Sequence, residues 1–117
     1  MPENRALAFK LAEVFIRQKN ASAAIALIQR FSSKNPRDVQ AWRLMQQAAN
    51  IDQQSPLRAI NVLRYRAEVE YWSGWEENAI KSLLHAQRLV KDKNNALLSA
   101  QVKIRLNEMQ AERQLRI

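Results

Sequence analysis

What most constrains this chain is the recurrence of its apolar residues every three or four positions, in successive short segments separated by polar or helix-stopping residues. An α-helix brings such positions onto one face, because about 3.6 residues complete a turn. Ala8, Leu11, Ala12, Phe15 and Ile16 make one such face, and Ala24, Leu27, Ile28 and Phe31 a second. Val39, Trp42, Met45 and Ala49 make a third. The fourth segment has two stripes, Ile60/Leu63/Ala67/Tyr71 and Val62/Tyr65/Val69/Trp72. Together they cover too much of the circumference for a one-sided surface helix, so this helix is expected to pack on two sides. Ala79, Ile80, Leu83, Leu84 and Val90 form the fifth face, and Leu98, Val102, Leu106 and Met109 the sixth. With one glycine, three prolines and no cysteine, the chain has little to break helices and no disulfide or thiolate metal site to brace them. An all-α fold held by packing is expected.

The punctuation agrees. Asn20 and Asp38 stand where helix N-caps are needed, Ser55-Pro56 reads as a cap followed by proline at the first helical position, and Gly74 tolerates a left-handed stop. Helices are expected over about 4–19, 21–33, 38–51, 56–73, 75–92 and 95–114, within one domain spanning 1–117. Their short connections imply antiparallel neighbours.

Ala8-x2-Leu11-Ala12-x2-Phe15, then Ala24-x3-Ile28 and Pro36, fit the two halves of a tetratricopeptide hairpin, and Trp42-x2-Met45 restarts the pattern about 34 residues after Ala8. Ala59-x3-Leu63 continues it, but Gly74 to Ile80, with Leu83 and Ala86, resembles another turn and second helix less than one repeat further on. The resemblance implies a tetratricopeptide-like α-solenoid of about six antiparallel helices, with the fourth helix serving two repeats.

Beyond the generic repeat, three stretches look like the C-terminal repeat domain of periplasmic zinc metalloproteases: Pro56 to Ala59, Arg66 to Tyr71, and Gly74 with Glu77-Asn78-Ala79-Ile80. Asn4 to Ala8 and the Asn35-Pro36 junction with Trp42 are similar as well, so nearly the whole chain is covered. The nearest likeness is to the β-barrel assembly-enhancing protease family of Gram-negative bacteria. That resemblance implies a periplasmic module that binds substrates or assembly partners, namely outer-membrane β-barrel proteins and the barrel-assembly machinery. The chain lacks the HExxH motif of the family's protease domain. The resemblance therefore implies no catalysis and no cofactor in this chain, with zinc and any export signal in a separate segment.

Catalysis needs converging acids, bases, nucleophiles or metal ligands. The single histidine, His85, has neither a second histidine nor a cysteine to work with and reads as a partly buried helix residue. Glu76-Glu77 and Glu68-x-Glu70 point to different faces of their helices and read as dipole partners and solvated surface. No apolar run approaches the ~18 residues a membrane span requires. The Met1-Pro2-Glu3-Asn4 start resembles no targeting signal and says nothing of location.

In the repeat architecture, a binding groove is lined by non-packing positions on the first helix of each hairpin. Carried over, these are Phe9, Glu13 and Arg17, then Arg43, Gln47 and Asn50, then Arg64, Glu68 and Trp72, with Tyr71 beside them. Arg43 and Arg64 suit carboxylates, while Phe9, Tyr71 and Trp72 suit desolvated anchoring. Trp42 occupies a packing position and is expected in the core. The net charge of +8 invites a nucleic-acid reading, but the basic residues form no block and show no regular base-reading pair per repeat. Proteins or peptides are the expected partners, not nucleic acid. A further alternative is docking on the protein's own protease domain. With only about three hairpins, pairing with a second copy as a homodimer also remains open.

Overall fold

The computed structural model describes residues 4–116; Met1-Pro2-Glu3, read above for targeting signals, lies outside the described residues. Six α-helices run in order: α1 (Arg5–Arg17), α2 (Ala21–Lys34), α3 (Val39–Ile51), α4 (Arg58–Trp72), α5 (Glu76–Val90) and α6 (Ala96–Leu115), with a 3-10 turn at Lys91–Lys93. No strand occurs among the described residues.

Four of the helices begin at a side chain that can accept from an unpaired backbone N–H. Asn4 accepts from Leu7 at 3.0 Å, Asn20 from Ala23 at 3.3 Å, Asp38 from Ala41 at 3.3 Å and Asn95 from Leu98 at 3.0 Å. Each such cap is worth about 1 kcal/mol. Helix α4 departs from expectation: Ser55-Pro56 forms a turn in which Ser55 Oγ accepts from Leu57 N at 3.1 Å, and the helix starts at Arg58 behind an uncapped Leu57. Gly74 turns the chain into α5 at φ +94°, and Asn94 and Lys19 take left-handed conformations at φ 51° and 60°.

Each helix packs on the next, and α1 also packs on α3. Side chains of α4 reach α6 as well as α3 and α5. Phe9, Ala12, Ile28, Ala41, Leu44 and Met45 join the first three helices. Two further clusters join the last three: Ala67, Tyr71, Ile80, Leu83, Leu106 and Met109 toward one end, and Ile60, Val90, Leu98 and Val102 toward the other. Ile28, Ile60, Leu83 and Met109 are no more than 1 % exposed, each burial contributing about 1.5–3 kcal/mol before entropy is counted. Ala12, Ala41, Ala67, Ala79 and Ala86 are completely buried, and their small side chains let helix axes approach.

Two expectations need correction. Leu11, expected in the core, is 45 % exposed, because beside Leu7 it lies on the side of α1 turned away from Phe9 and Ala12. His85 is exposed on α5, since Ala86 takes the adjacent inward position. Helix α4 packs on two sides as expected, against α3 and α5: Ile60, Ala67 and Tyr71 of its stripes are buried, and Val62, Leu63, Tyr65, Val69 and Trp72 are half-buried.

Candidate partner-binding groove

Two adjoining hollows of about 430 and 160 Å³ share Trp42, Glu68 and Arg105 as walls. The larger is completed by the α2–α3 connection at Asn35, Pro36 and Arg37, and by Trp72 and Glu112. Arg64, Tyr65 and Gln101 border the smaller. Together they form a groove whose walls come from α3, α4 and α6.

Trp42 stands near the start of α3, where its indole Nε1 donates to the Pro36 carbonyl at 2.7 Å and its ring stacks on Tyr65 at 6.2 Å between centroids. Trp72 sits two turns after Tyr65 on α4, edge-on to Tyr71 at 4.9 Å. The Arg37 and Arg105 guanidiniums stand 5.7 and 5.9 Å from its ring centroid, within the range of cation–π attraction. Arg64 stands 5.7 Å from the Tyr65 ring.

The centre of the groove is a nearly buried ion pair. Arg105 Nε and Nη2 donate to the two oxygens of Glu68 at 2.8 and 2.9 Å, and the Trp72 indole donates to Glu68 Oε1 at 3.2 Å. Burial works to lower the Arg105 pKa, but the Glu68 hydrogen bonds and charge, with Glu108 beyond, hold it above the ordinary arginine value. Glu112 takes a hydrogen bond from the Tyr71 hydroxyl and lies 4.0 Å from Arg116. Burial, and then the Glu112 carboxylate, push the Tyr71 phenol above its usual pKa. Burial does the same at Tyr65 against the opposing charge of Arg64.

Of the residues expected to line a groove, Arg64, Glu68 and Trp72 come together here. The others do not. Phe9 is 6 % exposed, packed edge-on against Phe31 in the core of the first three helices. Tyr71 is 5 % exposed and belongs to the core of the last three. Glu13 and Arg17 are exposed on α1, away from these walls. Arg43, Gln47 and Asn50 border a different hollow with Val62 and Val69, and the Asn50 side chain is held by Arg58 at 2.7 Å. Trp42, expected in the core, is instead a wall of the groove.

Sequence reasoning missed Arg37, Tyr65, Arg105 and Glu112 as groove residues. For the last two a signal was present: Leu98, Val102, Arg105, Met109, Glu112 and Arg116 recur at alternating four- and three-residue spacing, so both charged groups lie on the packed face of α6. Arg37 lay in a connection, where periodicity carries no information.

Among the described residues no group of three or more His, Cys, Asp or Glu side chains converges to hold a metal ion, and no helix is long and apolar enough to cross a membrane. No protein-family model matches the chain, and no curated protein matches it.

Proposed function

We propose that this chain is a protein-interaction module, a tetratricopeptide-like stack in which the groove between α3, α4 and α6 receives a segment of another protein. The observation that carries this reading is the meeting of three aromatic side chains, Trp42, Tyr65 and Trp72, with three arginines in one open groove. Aromatic and arginine side chains are the types enriched at binding hot spots, and here stacking and hydrogen bonds hold several of them in place before a ligand arrives. The repeat-like arrangement is supported by α1 lying on α3, as first helices of successive hairpins do.

The narrower reading rests on the resemblance of Pro56 to Ala59, Arg66 to Tyr71 and Gly74 to Ile80 to the repeat domain of periplasmic zinc metalloproteases. On that reading the module presents substrates or assembly partners, namely outer-membrane β-barrel proteins and the barrel-assembly machinery, to a zinc protease domain on a separate segment. The test is site-specific photocrosslinking in cells from positions 64 and 72, with position 43 as a control off the groove. Crosslinks from 64 and 72 to β-barrel proteins or their assembly factors support the reading. Crosslinks to a protease domain of the same polypeptide make the groove an autoregulatory contact instead, and crosslinks to RNA alone overturn it.

A further inference from the structure

We propose that the ligand of this groove is an acidic peptide segment, with carboxylates on either side of an apolar side chain. This rests on the reading of the groove as an interaction site and adds the chemistry of what enters it.

The charge balance of the walls points there. Three guanidiniums line the two hollows, and only Arg105 is neutralised, by both oxygens of Glu68. Glu68 is thereby occupied, and Glu112 is engaged by Tyr71 and Arg116. Among the described residues, Arg37 and Arg64 have no carboxylate partner. Arg64 gives one hydrogen bond, to Asn61 at 3.0 Å, of the five N–H donors a guanidinium carries. Each of the two rests near an aromatic ring, Arg37 by Trp72 and Arg64 by Tyr65, an arrangement that orients a planar cation while leaving donors for an incoming acid. They belong to different hollows, joined by the Trp42 wall, so a ligand spanning both meets a cation, an apolar surface and a second cation in turn. Bidentate arginine–carboxylate pairing is among the stronger charge-assisted contacts. A net charge of +8 further speeds encounter with an acidic partner.

A nucleic-acid strand also carries anions, but it is usually held by bases stacked on free aromatic faces. Here Tyr65 is stacked on Trp42, and Trp72 carries two guanidiniums within 6 Å. Each ring thus already has a partner on part of its surface, which leaves less face for a base to stack on and favours carboxylates on a peptide.

The three tryptophans allow a direct test, because each gives its own indole N–H signal and Trp75 is 63 % exposed outside the groove. The probes are a hexapeptide with Asp-Glu pairs flanking a central Phe-Leu, its Asn-Gln counterpart, and a short oligothymidylate. The acidic peptide is expected to shift the Trp42 and Trp72 signals and leave Trp75 in place. Replacing both arginines, Arg37→Ala with Arg64→Ala, should weaken binding by about tenfold or more, as expected for losing two charge-assisted contacts, while Arg43→Ala leaves it unchanged. An unmoved Trp75 signal in the double variant shows that the fold is retained. Equal binding of the Asn-Gln peptide would overturn the acidic proposal and leave the groove standing. Stronger binding of the oligothymidylate would reassign the groove to nucleic acid. If no probe moves Trp42 or Trp72, the acidic proposal fails, and crosslinking from 64 and 72 decides the groove itself.

Discussion

Separating the charges of Glu68 and Arg105 gives the sharpest test of how the groove is built. Glu68 is 8 % exposed and the Arg105 side chain 24 %, so the pair lies much nearer the buried than the exposed limit. Unit charges about 4 Å apart attract by about 4 kcal/mol at an effective dielectric of about 20, and desolvation removes much of that gain. Breaking exposed pairs costs about 0–1 kcal/mol, whereas stranding one partner of a buried pair costs about 3–5 kcal/mol. For this geometry Glu68→Gln should cost about 2 kcal/mol, lowering the melting temperature of a domain this size by about 8 °C. Arg105→Met should cost as much, since it leaves the Glu68 carboxylate with the Trp72 indole as its remaining hydrogen-bond donor. The double variant should cost about 2 kcal/mol less than the sum of the singles, because neither charge is then stranded. Urea unfolding followed by circular dichroism measures all four proteins, with an unchanged denaturant slope as the control for two-state behaviour. A coupling energy below about 0.5 kcal/mol would refute the account, because it would place the pair among solvated surface contacts.

Met109 is fully buried between α4, α5 and α6, so Met109→Ala should cost about 2–5 kcal/mol in urea unfolding, whereas Leu115→Ala, at a site 87 % exposed, should cost less than about 0.5 kcal/mol. The Asp38 carboxyl is held below its usual pKa of 3.8 by its hydrogen bonds from Arg5, with further help from backbone N–H groups at the start of α3. Its contribution is therefore present above about pH 4 and lost as pH falls through the lowered folded value, and Arg5→Ala should flatten that part of the stability curve without removing the α3 cap. Both tyrosines are pushed above their usual value of 10.0 by burial, so an absorbance titration of the folded protein should find no phenol ionising at or below it. Because the unfolded chain releases those protons first, stability should fall as pH rises past about 10, and less steeply in Tyr71→Phe.

The helices were legible because period and caps are local properties: Asn20 and Asp38 cap where their chemistry predicts, and Ile28, Met45, Leu83 and Val102 are buried where their spacing predicts. Groove membership was less legible because it depends on which neighbour each helix meets. On α4, carrying over Arg64, Glu68 and Trp72 chose the groove side. On α3 the corresponding choice of Arg43, Gln47 and Asn50 was one residue out of phase, a rotation of about 100°. The packed face of α3 is Ala41, Leu44, Met45 and Ala48, which places Trp42 at its edge and turns Arg43 toward the other hollow. A tryptophan at a repeat position looks like core until the bond to Pro36 and the stack on Tyr65 show what holds it at the rim.

The two kinds of arginine in the groove should separate when stability and binding are measured together. Arg105 joins α6 to α4, so its loss should loosen the wall and weaken the fold at once. Arg37 and Arg64 have no carboxylate partner among the described residues, so their loss strands no buried acid and should leave the melting temperature nearly unchanged while acidic-peptide affinity falls. Plotting affinity against stability for the three substitutions therefore asks whether Arg105 has any binding role of its own. If restoring wall stability with a compensating core substitution restores peptide affinity in Arg105→Met, that arginine positions the groove. If affinity stays low at wild-type stability, Arg105 must exchange part of its bonding to Glu68 for the ligand's carboxylate.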